Sequence, residues 1–144
     1  MRLQASGRLH LSLPAWKAIS LFTPEGERLW APGWDPHYPA GEASEEAGTV
    51  FVTRAGEVET TWVIIGIDRE LYSAAYARLT PGRHGGTVTV TCRDDGQDRC
   101  VASVRYDLTS LTNSDDVLSP YRPEAFAEMM AEWDHRIRPH VGAR

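Results

Sequence analysis

The sequence predicts an α+β fold: a curved antiparallel β-sheet wrapped around a long C-terminal helix, with two short helices after the first strand. Three observations carry this. From Gly48 to Leu108, strand-like segments follow one another with only turn residues between them. Two short helical patterns precede that run. One amphipathic stripe follows it, with Phe126, Met130, Trp133 and Ile137 at i, i+4, i+7 and i+11 and Met129 beside them. A sheet of this size curls and presents one apolar face, which the last helix must cover.

Leu3 to Leu13 begins as a strand, with Leu9, Leu11 and Leu13 on one side and Arg8, His10 and Ser12 on the other. Pro14 opens a short helix, because its fixed φ suits a first helical turn. Trp16, Ile19 and Phe22 give that helix one apolar face. Thr23-Pro24-Glu25 restarts the pattern with an N-cap, a first residue and an acid suited to the positive end of a helix, so a second short helix runs to about Trp30. Pro32 to Ala47 is then a long connection. Its first half is aromatic, and its second half, with Glu42, Glu45 and Glu46, is solvated.

Thr49 to Arg54 and Val58 to Ile67 are strands joined by the turn Ala55-Gly56-Glu57. Asp68-Arg69-Glu70 turns into Leu71 to Leu79, with Tyr72 and Tyr76 on one face, and Thr80-Pro81-Gly82 ends that strand. Gly82 to Gly86 is a hairpin turn. Thr87 to Cys92 and Cys100 to Leu108 form the last hairpin around Asp94-Asp95-Gly96. Setting Cys92 opposite Cys100 aligns Val90 with Ala102 and Val88 with Val104, which keeps the apolar face continuous. Pro123 starts the final helix and Pro139 ends it.

A chain of 144 residues fits a single domain, 1–144. At that size folding buries roughly 68–70% of the unfolded surface, so neither metals nor disulfides are required for stability. The net charge of −5 and the dispersal of the basic residues, of which only Lys17 is a lysine, argue against a nucleic-acid surface. The N-terminus has no apolar h-region. The longest apolar run, Trp62 to Ile67, falls far short of the ~18 residues that suggest a membrane span. No membrane insertion and a cytoplasmic location are expected.

Thr23 to Pro39, TPEGERLWAPGWDPHYP, is the most distinctive stretch. Trp30, Trp34 and Tyr38 recur every four residues, yet Pro32 and Pro36 forbid a helix that would align them. The rings must pack over the protein's own core, a partner or a ligand.

The order strand, helix pair, meander and long C-terminal helix, together with ERLWAPGWDP, GTVFVT and TTWVI, resembles the helix-grip fold of the START/Bet v 1-like (SRPBCC) superfamily, within it a bacterial branch. The resemblance spans Gly7 to Val141. It implies a cavity between the curved sheet and the C-terminal helix, where superfamily members hold lipids, hormones or polyketides. Some members are cyclases, aromatases or hydrolases, and many only carry or sense, so the fold does not decide the function. The resemblance places Phe126, Met130, Trp133 and Ile137 on the helix that closes the cavity, and Trp30, Trp34 and Tyr38 near one mouth. It brings no catalytic motif.

The residues offer little dedicated chemistry. His10, His37, His84, His135 and His140 show no metal-ligand spacing, and Asp35 with His37 is the one tight acid–histidine pair, so no metal and no cofactor are expected. Cys92 and Cys100 read as two buried thiols in a reducing compartment, with a bridge as the alternative. Nucleophile-elbow and phosphate-loop motifs are absent. Glu27, Asp35 and Glu59 lie in or near the aromatic segment, and a carboxylate at an apolar cavity would have a raised pKa. Glu27 paired with an arginine and Asp35 capping a turn are the structural alternatives. Trp62, Tyr72, Tyr76, Tyr106 and Trp133 could face one space and combine apolar walls with polar handles.

The leading expectation is a carrier or sensor that binds a hydrophobic small molecule, with no matched acid–base pair inside the cavity. The second is an enzyme of the cyclase, aromatase or hydrolase kind, for which Glu27, Tyr76 and Arg105 are the residues to inspect. The third is a structural module, a homodimer among its forms, whose core is filled by its own side chains.

Overall fold

Six strands form one antiparallel sheet in the computed structural model, which describes residues 1–141. They are β1 (Arg2–Leu11), β2 (Val50–Ala55), β3 (Val58–Asp68), β4 (Ser73–Thr80), β5 (His84–Asp94) and β6 (Cys100–Ser110). The spatial order is β1-β6-β5-β4-β3-β2: a meander from β2 to β6, with β1 returned to the side of β6. Helix α1 (Ala15–Ala18) follows β1, and the long helix α2 (Pro123–Ile137) follows β6. This is the α+β architecture expected, a curved sheet with a long C-terminal helix and short helices after the first strand.

The short helices are slighter than their sequence pattern suggests. α1 is a single turn that passes into a 3-10 turn at Ile19–Phe22. Pro14 is extended at the cap position rather than inside the helix, and the N–H of Ala15 is satisfied across the structure by Asp94 Oδ1 at 2.8 Å. The second helix is one 3-10 turn, Gly26–Leu29. Thr23 acts as expected of a cap, with its Oγ1 accepting the Gly26 N–H at 3.0 Å. Gly26 is required by close approach, because a Cβ there would lie 1.6 Å from the Ser20 carbonyl oxygen.

Curvature comes from a bulge in β3. Ile64 pairs with Tyr76 and Gly66 with Ala75, so Ile65 is an extra, exposed residue that bends the strand. At the outer edge, His37 exchanges both backbone hydrogen bonds with Val52 of β2, at 2.9 and 2.8 Å. The proline-rich connection thereby covers an otherwise open edge.

Three local expectations are corrected. In the β5–β6 hairpin Cys92 faces Ala102, Val90 faces Val104 and Val88 faces Tyr106, while Cys100 faces Asp94. The shift of two residues leaves every side chain on its expected face and shortens the loop. Cys92 and Cys100 are both buried free thiols. Tyr72 stands outside β4 with φ 55°, so it does not share the inner face with Tyr76. The β4–β5 turn is also tighter than expected, because His84, Gly85 and Gly86 already belong to β5.

α2 lies over the sheet with Phe126, Met130 and Ile137 buried. Its apolar face is wide enough to serve two surfaces. Phe126 and Met130 turn toward β1, where Met130 packs on Gly7, and Met129 and Trp133 turn toward the interior space described next.

Candidate functional site

The inner face of β3, β4 and β6 places Trp62, Tyr76, Arg78 and Tyr106 together, because these positions share the inward phase of their strands. Tyr76 pairs across to Val88, and Val88 to Tyr106; Trp62 pairs directly with Arg78. Met129 and Trp133 of α2 lie opposite. Between them lies a cavity of about 270 Å³ whose wall also includes Phe22, Glu27, Trp30 and Trp34. Pro32, Gly33, Arg54 and Ala55 also line it and are exposed, so the mouth opens between the aromatic connection and the β2–β3 hairpin.

The three rings of the distinctive stretch are tied to the turn that precedes them. Trp30 Nε1 donates to Leu21 O at 2.8 Å and Trp34 Nε1 to Pro24 O at 2.8 Å; the Tyr38 hydroxyl donates to Glu25 Oε2 at 2.7 Å. Each ring thus satisfies its polar atom locally and turns its apolar faces inward. Trp30 meets Trp133 edge-on at 5.3 Å, and Trp34 meets Trp62 edge-on at 5.7 Å. Phe51 stacks on Trp62 at 5.7 Å, and both stand at 90° to Tyr76. The Tyr76 hydroxyl donates to Phe22 O at 2.8 Å, which holds the ring upright.

Two ionisable residues enter this aromatic space. Glu27 follows the Thr23 cap, and burial raises its carboxyl to about 8. The residue as a whole keeps some contact with solvent, while its carboxyl stands among the rings. The alternative in which Glu27 pairs with an arginine is not what forms: Arg28 instead bonds Asp35 at 2.7 Å and Glu25 at 3.0 Å. The second residue is Arg78, which the sequence reading missed. Its guanidinium carbon lies 4.6 Å from the centre of Trp62, 5.7 Å from Tyr121 and 6.0 Å from Tyr106. Its Nε is buried without a hydrogen-bond partner. Burial also raises the Tyr76 and Tyr106 hydroxyls well above the usual range, so both stay protonated.

Of the other expected site residues, Tyr38 lies outside the cavity and packs on Phe51. Phe126 and Met130 also lie outside it, lining an external groove of about 690 Å³ between β1 and α2. Arg105 is exposed on the outer face of β6. Asp35 is exposed, and Glu59 pairs with Arg54 at 2.6 Å on the β2–β3 hairpin. Among the described residues no three His, Cys, Asp or Glu side chains cluster as a metal site would require.

No family model matches the chain, and no curated protein matches it. Solved structures do. A truncated norcoclaurine synthase from Thalictrum flavum is 13% identical over 95% of this chain and 93% of its own, with a TM-score of 0.70. Major latex-like protein 151 from Panax ginseng is 14% identical over 99% of both chains, with a TM-score of 0.69. A protein from Thermobifida fusca is 15% identical over 98% of this chain and 97% of its own, with a TM-score of 0.66. The chain has the Bet v 1-like helix-grip fold of these structures.

Proposed function

We propose that this protein binds a small, mainly apolar, ring-bearing molecule in the cavity between sheet and α2, as a carrier or sensor. The observation that supports this is the cavity itself: about 270 Å³, walled by indole and phenol rings and open at one mouth. The size falls just below the ~300–1,000 Å³ of typical small-molecule sites, which favours a ring-sized ligand over a long lipid chain. It is far larger than the ~10–15 Å³ one water needs, which disfavours a core filled by its own side chains. A Thalictrum flavum norcoclaurine synthase with the same fold is in complex with dopamine and hydroxybenzaldehyde, both of ring size.

The test is titration with a neutral fluorescent ring compound, 2-methoxynaphthalene. Trp133→Asp, which puts a charge in the wall, and Ala31→Trp, which fills the space from the mouth, should each abolish binding. Absence of binding across a broad panel of apolar ring compounds would refute the reading.

A second reading has one observation in its favour. A carboxyl held to about 8 inside the cavity can donate or accept a proton near neutral pH, which suits Glu27 to general acid–base work on the bound molecule. Tyr76 lies in the same wall, with its hydroxyl already donated to Phe22. Native mass spectrometry of protein from its own host would reveal a retained molecule. Chemical conversion of that molecule by wild type but not by Glu27→Gln would establish turnover; unchanged recovery from both would exclude it.

A further inference from the structure

Arg78 is an unusual residue to find in this wall. An arginine projecting inward from a central strand ordinarily meets a carboxylate, because an unpaired buried charge costs several kcal/mol. Among the described residues Arg78 has no ion-pair partner within 4.0 Å. Its surroundings are π faces: Trp62 beneath it, with Tyr121 and Tyr106 alongside. Those faces stabilise a cation, and the buried Nε is left without an acceptor.

The neighbouring titratable groups do not neutralise it. Arg54, at the mouth, is committed to Glu59. His84, buried edge-on against Tyr121 at 5.5 Å, is held down to about 4 by burial and by Arg78 and Arg83, so it is neutral at pH 7. Tyr76 and Tyr106 are neutral phenols. Glu27, the one carboxyl in the wall, is largely protonated at pH 7 and can present a donor rather than a charge. The cavity wall therefore carries one positive charge without an ion-pair partner among the described residues, beside an apolar, ring-lined space.

We propose that the cavity's ligand is an aromatic carboxylate, whose ring fills the indole-walled space and whose anionic oxygens pair with Arg78. This rests on the binding function proposed above and narrows its ligand class. The guanidinium offers a planar fork of donors that matches a carboxylate, and its seat on Trp62 pre-organises it. Glu27 is placed in the same wall to donate a further hydrogen bond.

The experiment compares 2-naphthoate with 2-naphthamide, a pair of equal shape that differs in charge, by calorimetry at pH 7. Wild type should bind the carboxylate at least about tenfold more tightly than the amide. Arg78→Met, which keeps the apolar stem over Trp62, should bring the ratio to about one. Arg78→Lys should keep a preference for the carboxylate. Thermal melts of both variants establish that they are folded. Equal or tighter binding of the amide by wild type, or an unchanged ratio in folded Arg78→Met, overturns the proposal while leaving the apolar cavity reading intact. Failure of both naphthalenes and of neutral 2-methoxynaphthalene to bind overturns that reading and this proposal together.

Discussion

Replacing Glu27 by Gln should stabilise the protein at alkaline pH and leave it almost unchanged in acid. In the unfolded chain the carboxyl titrates near its ordinary 4.5, whereas burial in the fold holds it up to about 8. Between those values the folded state retains a proton that the unfolded state has released. The protonated carboxyl's contribution is therefore whole below about pH 4.5 and is lost progressively as pH rises toward 8. At about 1.36 kcal/mol per pH unit the interval corresponds to at most about 5 kcal/mol. Water at the open mouth screens part of that charge, which brings the working figure to about 2 kcal/mol. For a chain of this length that is roughly 6–8 °C in Tm. The assay is thermal denaturation followed by circular dichroism at pH 5 and pH 9, for wild type and Glu27→Gln. The variant should melt several degrees above wild type at pH 9 and within about 2 °C of it at pH 5. An equal difference at both pH values would show that Glu27 does not titrate between them, and would remove both its acid–base role and its place as a neutral donor in the cavity lining.

Other perturbations probe the walls and supports of the cavity. Tyr76→Phe should cost about 1–2 kcal/mol in denaturant unfolding, because the Phe22 carbonyl loses its 2.8 Å partner in a buried setting; no loss would show that water replaces the hydroxyl there. Gly26→Ala should destabilise by at least about 2 kcal/mol, since the new Cβ would strike the Ser20 carbonyl at 1.6 Å, and near-normal stability would mean that the turn carrying Glu27 shifts freely. Outside the cavity, Arg2 bonds Asp107 through Nε at 2.9 Å and Nη2 at 2.7 Å and holds its carboxyl down to about 2. In Arg2→Ala the Asp107 midpoint, followed by NMR, should rise toward the ordinary carboxylate range.

Much of this architecture could be read from alternation alone. The phase of Val88, Val90 and Cys92 against Ala102, Val104 and Tyr106 identified the inner face correctly, and a period of two cannot distinguish registers that differ by two residues. The loop decides: pairing Asp94 with Cys100 closes it over Asp95 to Arg99, with the Asp95 N–H donating to the Arg99 carbonyl at 2.9 Å. On α2, one stripe was read where two exist. Met129 and Trp133 are four apart and face the cavity, while Phe126 and Met130 are four apart and face β1. Arg78 escaped for a different reason. It shares the phase of Tyr76 and stands two residues after it, so its inward position was available from the pattern, but arginine is ordinarily assigned to the solvent side. A charged residue on the inner phase of a strand rich in small and aromatic residues was the signal to follow.

Pairing of β1 with β6 joins Arg2 to Thr109 and Leu11 to Cys100. Of the strands described, β1 leaves the ribosome first, yet its partner is the last strand to be made. The meander β2 to β6 can zip locally as it emerges, while β1 must wait with an unpaired edge for nearly the whole sheet. A pause in synthesis before β6 would then leave a nascent chain with β1 unpaired and with neither its partner strand nor the terminal helix that later covers it through Phe126 and Met130.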